Sequence, residues 1–412
     1  MQYVVLILDG ASGDPVPEFD GKTTFEASTT PNLDALARTG AVGLMQNVPQ
    51  GMESGSDVAC LSIVGYDPAL YRIGRGAIEG ASLGIDLQPG QVALRLNLSY
   101  VENGIMTGYS TDNISTEDGH ALGSELKAAL DDDTFTLHLG TSFRQVLVVN
   151  GCPELVELEY ETPHDNTGLD ITETYKPRMS ASATGEQRVR LQAAVDLLID
   201  YVRRANEVLA KSPVNERRVA ENLWPANHVW AFWPGMKPGS LAPFAQVYGK
   251  TCALNSAVDL LDGIAKLTDM RVYKIDGVTD GPTNDFAAQG RAGVQMLEDG
   301  NEVVVIHVEA PDAAGHDGRP DEKRNAIECS DEAIVAPLRA YAADHPLRIA
   351  VMPDHPTPLS TRKHSYDPVP FLAWGPGIAA RGAQRLTEAE AKATGLMFDP
   401  GWKLLGDFLL AD

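Results

Sequence analysis

Three short apolar runs, rich in β-branched residues and each closed by an aspartate, constrain this chain more than any other feature. Tyr3 to Leu8 (YVVLIL) stops at Asp9-Gly10, Val303 to Val308 (VVVIHV) leads through Glu-Ala-Pro to Asp312, and Leu347 to Met352 leads through Pro353 to Asp354. Continuous apolar runs of this length read as strands buried on both faces, as in a parallel sheet. Ligands of open α/β sheets gather beyond the carboxyl ends of the strands. Three carboxylates gathered there repel one another unless a cation neutralises them.

Helical signals alternate with these strands. Thr30 can cap a helix over 31–39, with Pro31 in its first turn and Gly40 at its end. Further helices are expected over 257–267 and over 326–343, the latter broken at Pro337, and further strands over 270–275 and 369–374. This alternation predicts a doubly wound α/β core. The middle of the chain differs: period-2 segments separated by Gly, Asn and Asp turns run from about 91 to 149. Leu191, Val195, Leu198, Val202, Ala205 and Leu209 then form one helical stripe, and 223–239, rich in Trp, Pro and Gly, reads as a loop or linker. The expected organisation is a discontinuous core, 1–85 and 245–412, interrupted by a smaller α+β domain over 86–244.

Composition excludes several classes. A chain of 412 residues with 43% hydrophobic and 22% charged residues is neither disordered nor fibrous. Its net charge of −24 argues against general binding to nucleic acid or anionic membranes. No apolar run approaches the ~20 residues that span a bilayer. The start of the chain enters a strand at once, unlike a signal peptide, and four scattered cysteines make no disulfide framework, so a reducing cytoplasm is the expected compartment.

Histidines accompany two of the aspartates. His316 follows Asp312 by four residues, His355 adjoins Asp354, and His364 comes nine residues later. Asp and neutral His are usual ligands of Zn, Mn, Fe or Co, so these five residues, with Asp9 as a sixth, form a candidate metal site. In the segment Glu53-Ser-Gly-Ser-Asp-Val-Ala-Cys-Leu-Ser62, small residues lead into an apolar stretch, as a loop does on entering a helix. A serine there is a helix cap or, with the helix amides, an anion-binding or nucleophilic group, and Ser54 and Ser56 are both candidates. Tyr248-Gly-Lys-Thr251 is no P-loop, because Phe244 replaces the required first glycine.

Six elements, LDGASG (8–13), TPNLDALA (30–37), GSDVACLSIVGYDP (55–68), VEAPDAAGH (308–316), PDHPTP (353–358) and KHSYDPVPFLAWGPG (363–377), resemble those of archaeal-type, cofactor-independent phosphoglycerate mutases of the alkaline phosphatase superfamily. The resemblance runs from Val4 to about Gly377. It implies an alkaline-phosphatase-like sheet core, a small phosphorylated substrate and two divalent metal ions, manganese first, with zinc, cobalt or magnesium as alternatives. By the same resemblance Ser56 is the nucleophile. Asp9, Ser56, Asp354 and His355 surround one metal; Asp312, His316 and His364 surround the other. Arg95, Asn97, Arg144, His164, Asp165 and Lys323 stand where similar proteins hold substrate.

The implied reaction carries the phosphoryl group of 3-phosphoglycerate to Ser56 and back to O2 of glycerate, without 2,3-bisphosphoglycerate. Three departures bear on the acceptor: Cys60 where the family usually has histidine, Pro353-Asp-His-Pro where it has Gly-Asp-His-Ser, and Arg144-Gln145 where mutases often have Arg-His. The alternatives are the same chemistry on another acceptor, as in mutase-like proteins proposed as homoserine kinases, and a metal-stabilised binding protein without turnover.

Overall fold

The computed structural model describes residues 1–238 and 241–411. Among them are thirteen strands: β1 (Gln2–Leu8), β2 (Ala41–Met45), β3 (Gln91–Glu102), β4 (Ile105–Gly108), β5 (Phe135–Leu139), β6 (Arg144–Asn150), β7 (His228–Gly235), β8 (Cys252–Asn255), β9 (Arg271–Val272), β10 (Val303–Val308), β11 (Leu347–Met352), β12 (Val369–Trp374) and β13 (Met397–Phe398). The chain divides into two units, residues 1–72 with 240–412 and residues 73–239.

The first unit is built on one eight-stranded sheet in the order β13-β2-β12-β11-β1-β10-β8-β9. β1 lies parallel to β10 on one side and to β11 on the other, and β12 runs antiparallel to β11 and β2. β10 and β11 are buried at every residue and β1 at all but Gln2, which explains their lack of polar alternation. Register then fixes the site: Leu8 pairs with Val308 and Ile7 with Met352, so three adjacent strands end at one level.

The helix Pro31–Thr39 forms as expected, but Thr30 does not cap it. The Thr30 hydroxyl donates to Asp34. The cap comes from Asp331, 1% exposed, whose carboxylate accepts from the amides of Leu33 (2.6 Å) and Asn32 (3.1 Å). The expected 326–343 helix is three pieces: Pro320–Ser330, a π-turn over Asp331–Val335, and Ala336–Tyr341 with Pro337 in its first turn. That π-turn carries Asp331 to the end of the other helix. The segments expected as a helix over 257–267 and a strand over 270–275 are shorter, Asp259–Leu267 and β9.

The second unit holds an antiparallel sheet, β4-β3-β6-β5, with β7 also paired to β3. The helix Gly185–Leu209 buries Leu191, Val195, Leu198, Val202, Ala205 and Leu209 in this unit's core. Two expectations are corrected here. The segment 223–239 is not all linker, because β7 buries Val229, Trp230, Ala231 and Phe232. The unit also begins at 73, not 86, because the helix Arg75–Ser82 packs on β3 and β7: a Cβ on Gly76 would collide with the carbonyls of Ala93 and Trp233. No helix among the described residues is long and apolar enough to cross a membrane.

Asp331→Ala should lower the stability of the first unit by about 2 kcal/mol, because it orphans buried helix amides. Urea denaturation measures this, and an unchanged midpoint would remove Asp331 as the cap.

Candidate metal centre

Asp9 lies one residue beyond β1, Asp354-His355 two residues beyond β11, and Asp312 in the helix Ala310–Asp317 that follows β10. Their convergence needs Gly10, which has φ +58° and no room for a side chain: a Cβ would meet Asp312 Oδ1 and Thr357 Oγ1. The Gly10 amide and the His355 amide donate to Asp354 Oδ1 at 3.1 and 2.7 Å. The Thr357 hydroxyl donates to Asp312.

Two groups of ligand-type atoms result, each within 4.8 Å: Asp9, Asp354 and His355, and Asp312, His316 and His364. The groups abut, since the rings of His355 and His364 stack with centroids 3.8 Å apart. Ser56, first residue of the helix Ser56–Ile63, places Oγ 3.2 Å from His355 Nε2. Ser54 turns away: its hydroxyl donates to the Ser365 carbonyl at 2.8 Å.

The electrostatics are those of a site built around positive charge. Burial, then Asp354 and Asp312, raise the pKa of Asp9 well above the carboxylate range. Burial and Asp9 do the same to Glu309. Asp354 and Asp312 remain below that range despite burial, Asp354 because of His355 and Asp312 because of hydrogen bonds with His316 and His364. Asp9 Oδ1 is buried without a hydrogen-bond partner. In the second group, His316 Nδ1 faces the Arg362 carbonyl at 2.9 Å and His364 Nδ1 faces the Ser54 carbonyl at 3.0 Å. Both therefore donate from Nδ1. Their Nε2 atoms, 2.9 Å apart, point at each other and at Asp312, 3.2 and 3.6 Å away. Lone pairs so opposed require a proton or a cation among them. A mixed carboxylate and imidazole donor set suits Mn, Zn or Co.

Sequence reasoning missed His307 and Glu309. His307, within β10, bonds Asp9 Oδ2 at 2.8 Å, and Asp9, His307 and Glu309 form a third group within 4.8 Å. One signal was available: His307 is the one polar residue of its strand. Lys323, 1% exposed, donates to the carbonyls of Ser12 (3.3 Å) and Thr357 (2.6 Å), so it ties together the loops after β1 and β11. Burial pushes its pKa down to about 8.

The remaining candidates lie in the second unit. Arg95 Nη1 binds the Glu79 carboxylate at 2.7 Å and its Nε donates to Asn97 Oδ1 at 2.9 Å. Arg144 lies over Phe143, whose ring is near Tyr109, and the His164 ring is 6.1 Å from both Tyr109 and Trp233. Arg95, Asn97, Arg144 and His164 thus surround one aromatic patch. Arg75, absent from the sequence reading, joins it 3.9 Å over Trp233. Asp165 is exposed and accepts from the Thr162 hydroxyl at 2.5 Å. Of the three departures, Cys60 is buried 3.8 Å from Asp354 Oδ2, Pro353 directly precedes Asp354, and Gln145 is buried, bracing the turn over 140–145 through Gly140 and Ser142.

A family profile described as 2,3-bisphosphoglycerate-independent phosphoglycerate mutase matches residues 37–215. The chain is 39% identical to a protein of that name from Methanosarcina barkeri over 376 residues, 91% of this chain and 90% of that one. It is 36% identical to a probable mutase of the same kind from Geobacter sulfurreducens, over 98% of each chain. A solved structure from Pyrococcus horikoshii superposes with TM-score 0.79 at 28% identity, covering 99% of this chain and 97% of that one. A cofactor-independent phosphoglycerate mutase from Thermoplasma acidophilum shares the fold, with TM-score 0.68, 23% identity and full coverage of both chains.

Titration of the metal-free protein with Mn²⁺ should release protons, and affinity should fall as pH drops from 9 to 7. The hydrogen bond with Asp312 raises His316 from 6.5 to about 9, so below that pH an ion binding at this nitrogen would have to displace a proton. For the metal-free fold the sign reverses. The stability that His316 contributes is complete below its unfolded value and is lost as pH rises through about 9. Calorimetry in buffers of different ionisation enthalpy reads the released protons, and pH-independent affinity would contradict this prediction.

Proposed function

The chain belongs to the family of 2,3-bisphosphoglycerate-independent phosphoglycerate mutases, and we propose that it interconverts 3-phosphoglycerate and 2-phosphoglycerate through a phosphoserine on Ser56. Asp9, Ser56, Asp354 and His355 would hold one divalent ion, and Asp312, His316 and His364 the other. Bound ions of this kind lower the pKa of a coordinated hydroxyl and neutralise charge on a transferring phosphoryl group. The observation that carries the reading is the position of Ser56: its Oγ stands at the edge of the buried carboxylates, 3.2 Å from His355.

In this reading Ser56 Oγ loses its proton and attacks phosphorus. The bond to O3 of the substrate breaks, and O3 leaves as the hydroxyl of glycerate by taking up a proton. In the second half, the O2 hydroxyl of glycerate gives up its proton and attacks the same phosphorus, the bond to Ser56 Oγ breaks, and Ser56 leaves by taking up a proton. The phosphoryl group is conserved throughout, so no bisphosphate is needed. The helix Ser56–Ile63 begins at the nucleophile, and its amide dipoles favour negative charge there. Lys323 acts by holding the two loops and adds positive potential. Arg95, Asn97, Arg144 and His164 are assigned to the carboxylate, hydroxyl and phosphate of the substrate, with Asp165 beside His164. Glu79 offsets only part of the charge of Arg75 and Arg95, which leaves this face of an acidic protein suited to an anion.

The test is to supply isotope-labelled 3-phosphoglycerate with Mn²⁺ and no bisphosphoglycerate, and to follow the products by ³¹P NMR. Labelled 2-phosphoglycerate with little free phosphate is expected. Ser56→Ala should cost about three orders of magnitude or more with the fold intact, whereas Ser54→Ala should cost about tenfold at most. Absence of isomerisation in every divalent metal, with transfer from ATP to homoserine through Ser56, would overturn the substrate assignment.

A further inference from the structure

His307 is 1% exposed, and both of its ring nitrogens are committed. Nε2 lies 2.8 Å from Asp9 Oδ2, and Nδ1 lies 3.0 Å from Ser256 Oγ. Ser256 Oγ accepts from the Val258 amide at 3.0 Å and can still turn its own proton to Nδ1. An ionised Asp9, as a metal ligand must be, accepts at Oδ2, and this selects the neutral tautomer in which Nε2 carries the hydrogen and donates to Asp9. The backbone beneath the ring is held as well: Gln289 donates to the His307 carbonyl at 2.8 Å, and Asn284 donates to Gln289 at 2.9 Å. Asp9 therefore has two unlike oxygens. Oδ2 is bound to the protein, while Oδ1 is buried, without a hydrogen-bond partner, and 3.7 Å from His355 Nε2.

We infer that His307 is a positioning residue for Asp9: the Ser256–His307–Asp9 relay ties down Oδ2 and presents Oδ1 as the one ligand atom for a divalent ion. The inference rests on the metal-binding reading given above. It also decides the fate of the Asp9, His307 and Glu309 group. An imidazole that donates from Nε2 and accepts at Nδ1 has no lone pair left, so His307 is no ligand and that group holds no ion of its own. Partners that orient metal-binding side chains typically contribute 10–100-fold to affinity.

The experiment titrates metal-free wild-type, His307→Leu, His307→Gln and Ser256→Ala proteins with Mn²⁺ by calorimetry. Ions per chain are counted by elemental analysis, and thermal unfolding is recorded without metal. Wild type should bind two ions. His307→Leu should bind one of them about 10–100-fold more weakly and the other within about threefold. Glutamine, whose amide can donate from near the Nε2 position, should recover most of the loss, and Ser256→Ala should show a smaller loss of several-fold. A lower unfolding temperature in His307→Leu with both affinities unchanged would mark a merely structural role and overturn the inference. Three ions in wild type and two in the variant would overturn it also, by making His307 a ligand. Should the leucine variant not fold, Ser256→Ala decides, and wild-type affinity there overturns the inference. A wild-type protein that binds no ion sinks the metal reading itself, which separates the two failures.

Discussion

Mutual repulsion of buried carboxylates is the constraint on which the rest of this structure depends. Asp9, Asp312 and Asp354 are each no more than 5% exposed, and parallel pairing of β1 with β10 and β11 brings them together. Such a cluster is tolerable only with compensating positive charge. The surroundings are arranged around that need. Gly10 and His355 amides hold Asp354, Thr357 holds Asp312, and His307 holds one oxygen of Asp9. His316 and His364 face Asp312 with the nitrogens not used by backbone carbonyls. Lys323 bridges two of the loops from beneath. In the reading developed above, divalent ions complete this balance, and Ser56 is placed to use them.

What was legible in the sequence follows from which forces act locally. β1, β10, β11 and β12 are mostly apolar because both faces are covered, and such runs stand out. The aspartates beyond β1, β10 and β11 are visible because polarity changes there abruptly. β7 was hidden because Trp, Pro and Gly resemble a linker, although antiparallel pairing with β3 buries its aromatic residues. The cap on the helix Pro31–Thr39 was assigned to adjacent Thr30, whereas the carboxylate comes from Asp331, about three hundred positions away in sequence. No local rule finds such a partner.

The same distinction applies to the site. Metal-type ligands were identifiable from residue type and spacing, and the serine from the family resemblance. His307, the one polar residue of its strand, was passed over because the run around it is apolar, and Glu309 because it directly follows that run. In the second unit, Arg95 was singled out by the family resemblance. Its partner Glu79 and the stacked pair Arg75–Trp233 come from segments that pair only after folding. Arg95 thus has two attachments, the Glu79 carboxylate and the Asn97 side chain, that fix its guanidinium.

The central claim is that these seven side chains hold two cations side by side, with Ser56 at one of them. Anomalous diffraction from crystals of the protein grown with Mn²⁺ tests it most directly. The account predicts two peaks ~4 Å apart, one bounded by Asp9, Ser56, Asp354 and His355 and the other by Asp312, His316 and His364. A single peak remote from Ser56, or none at saturating metal, would contradict it.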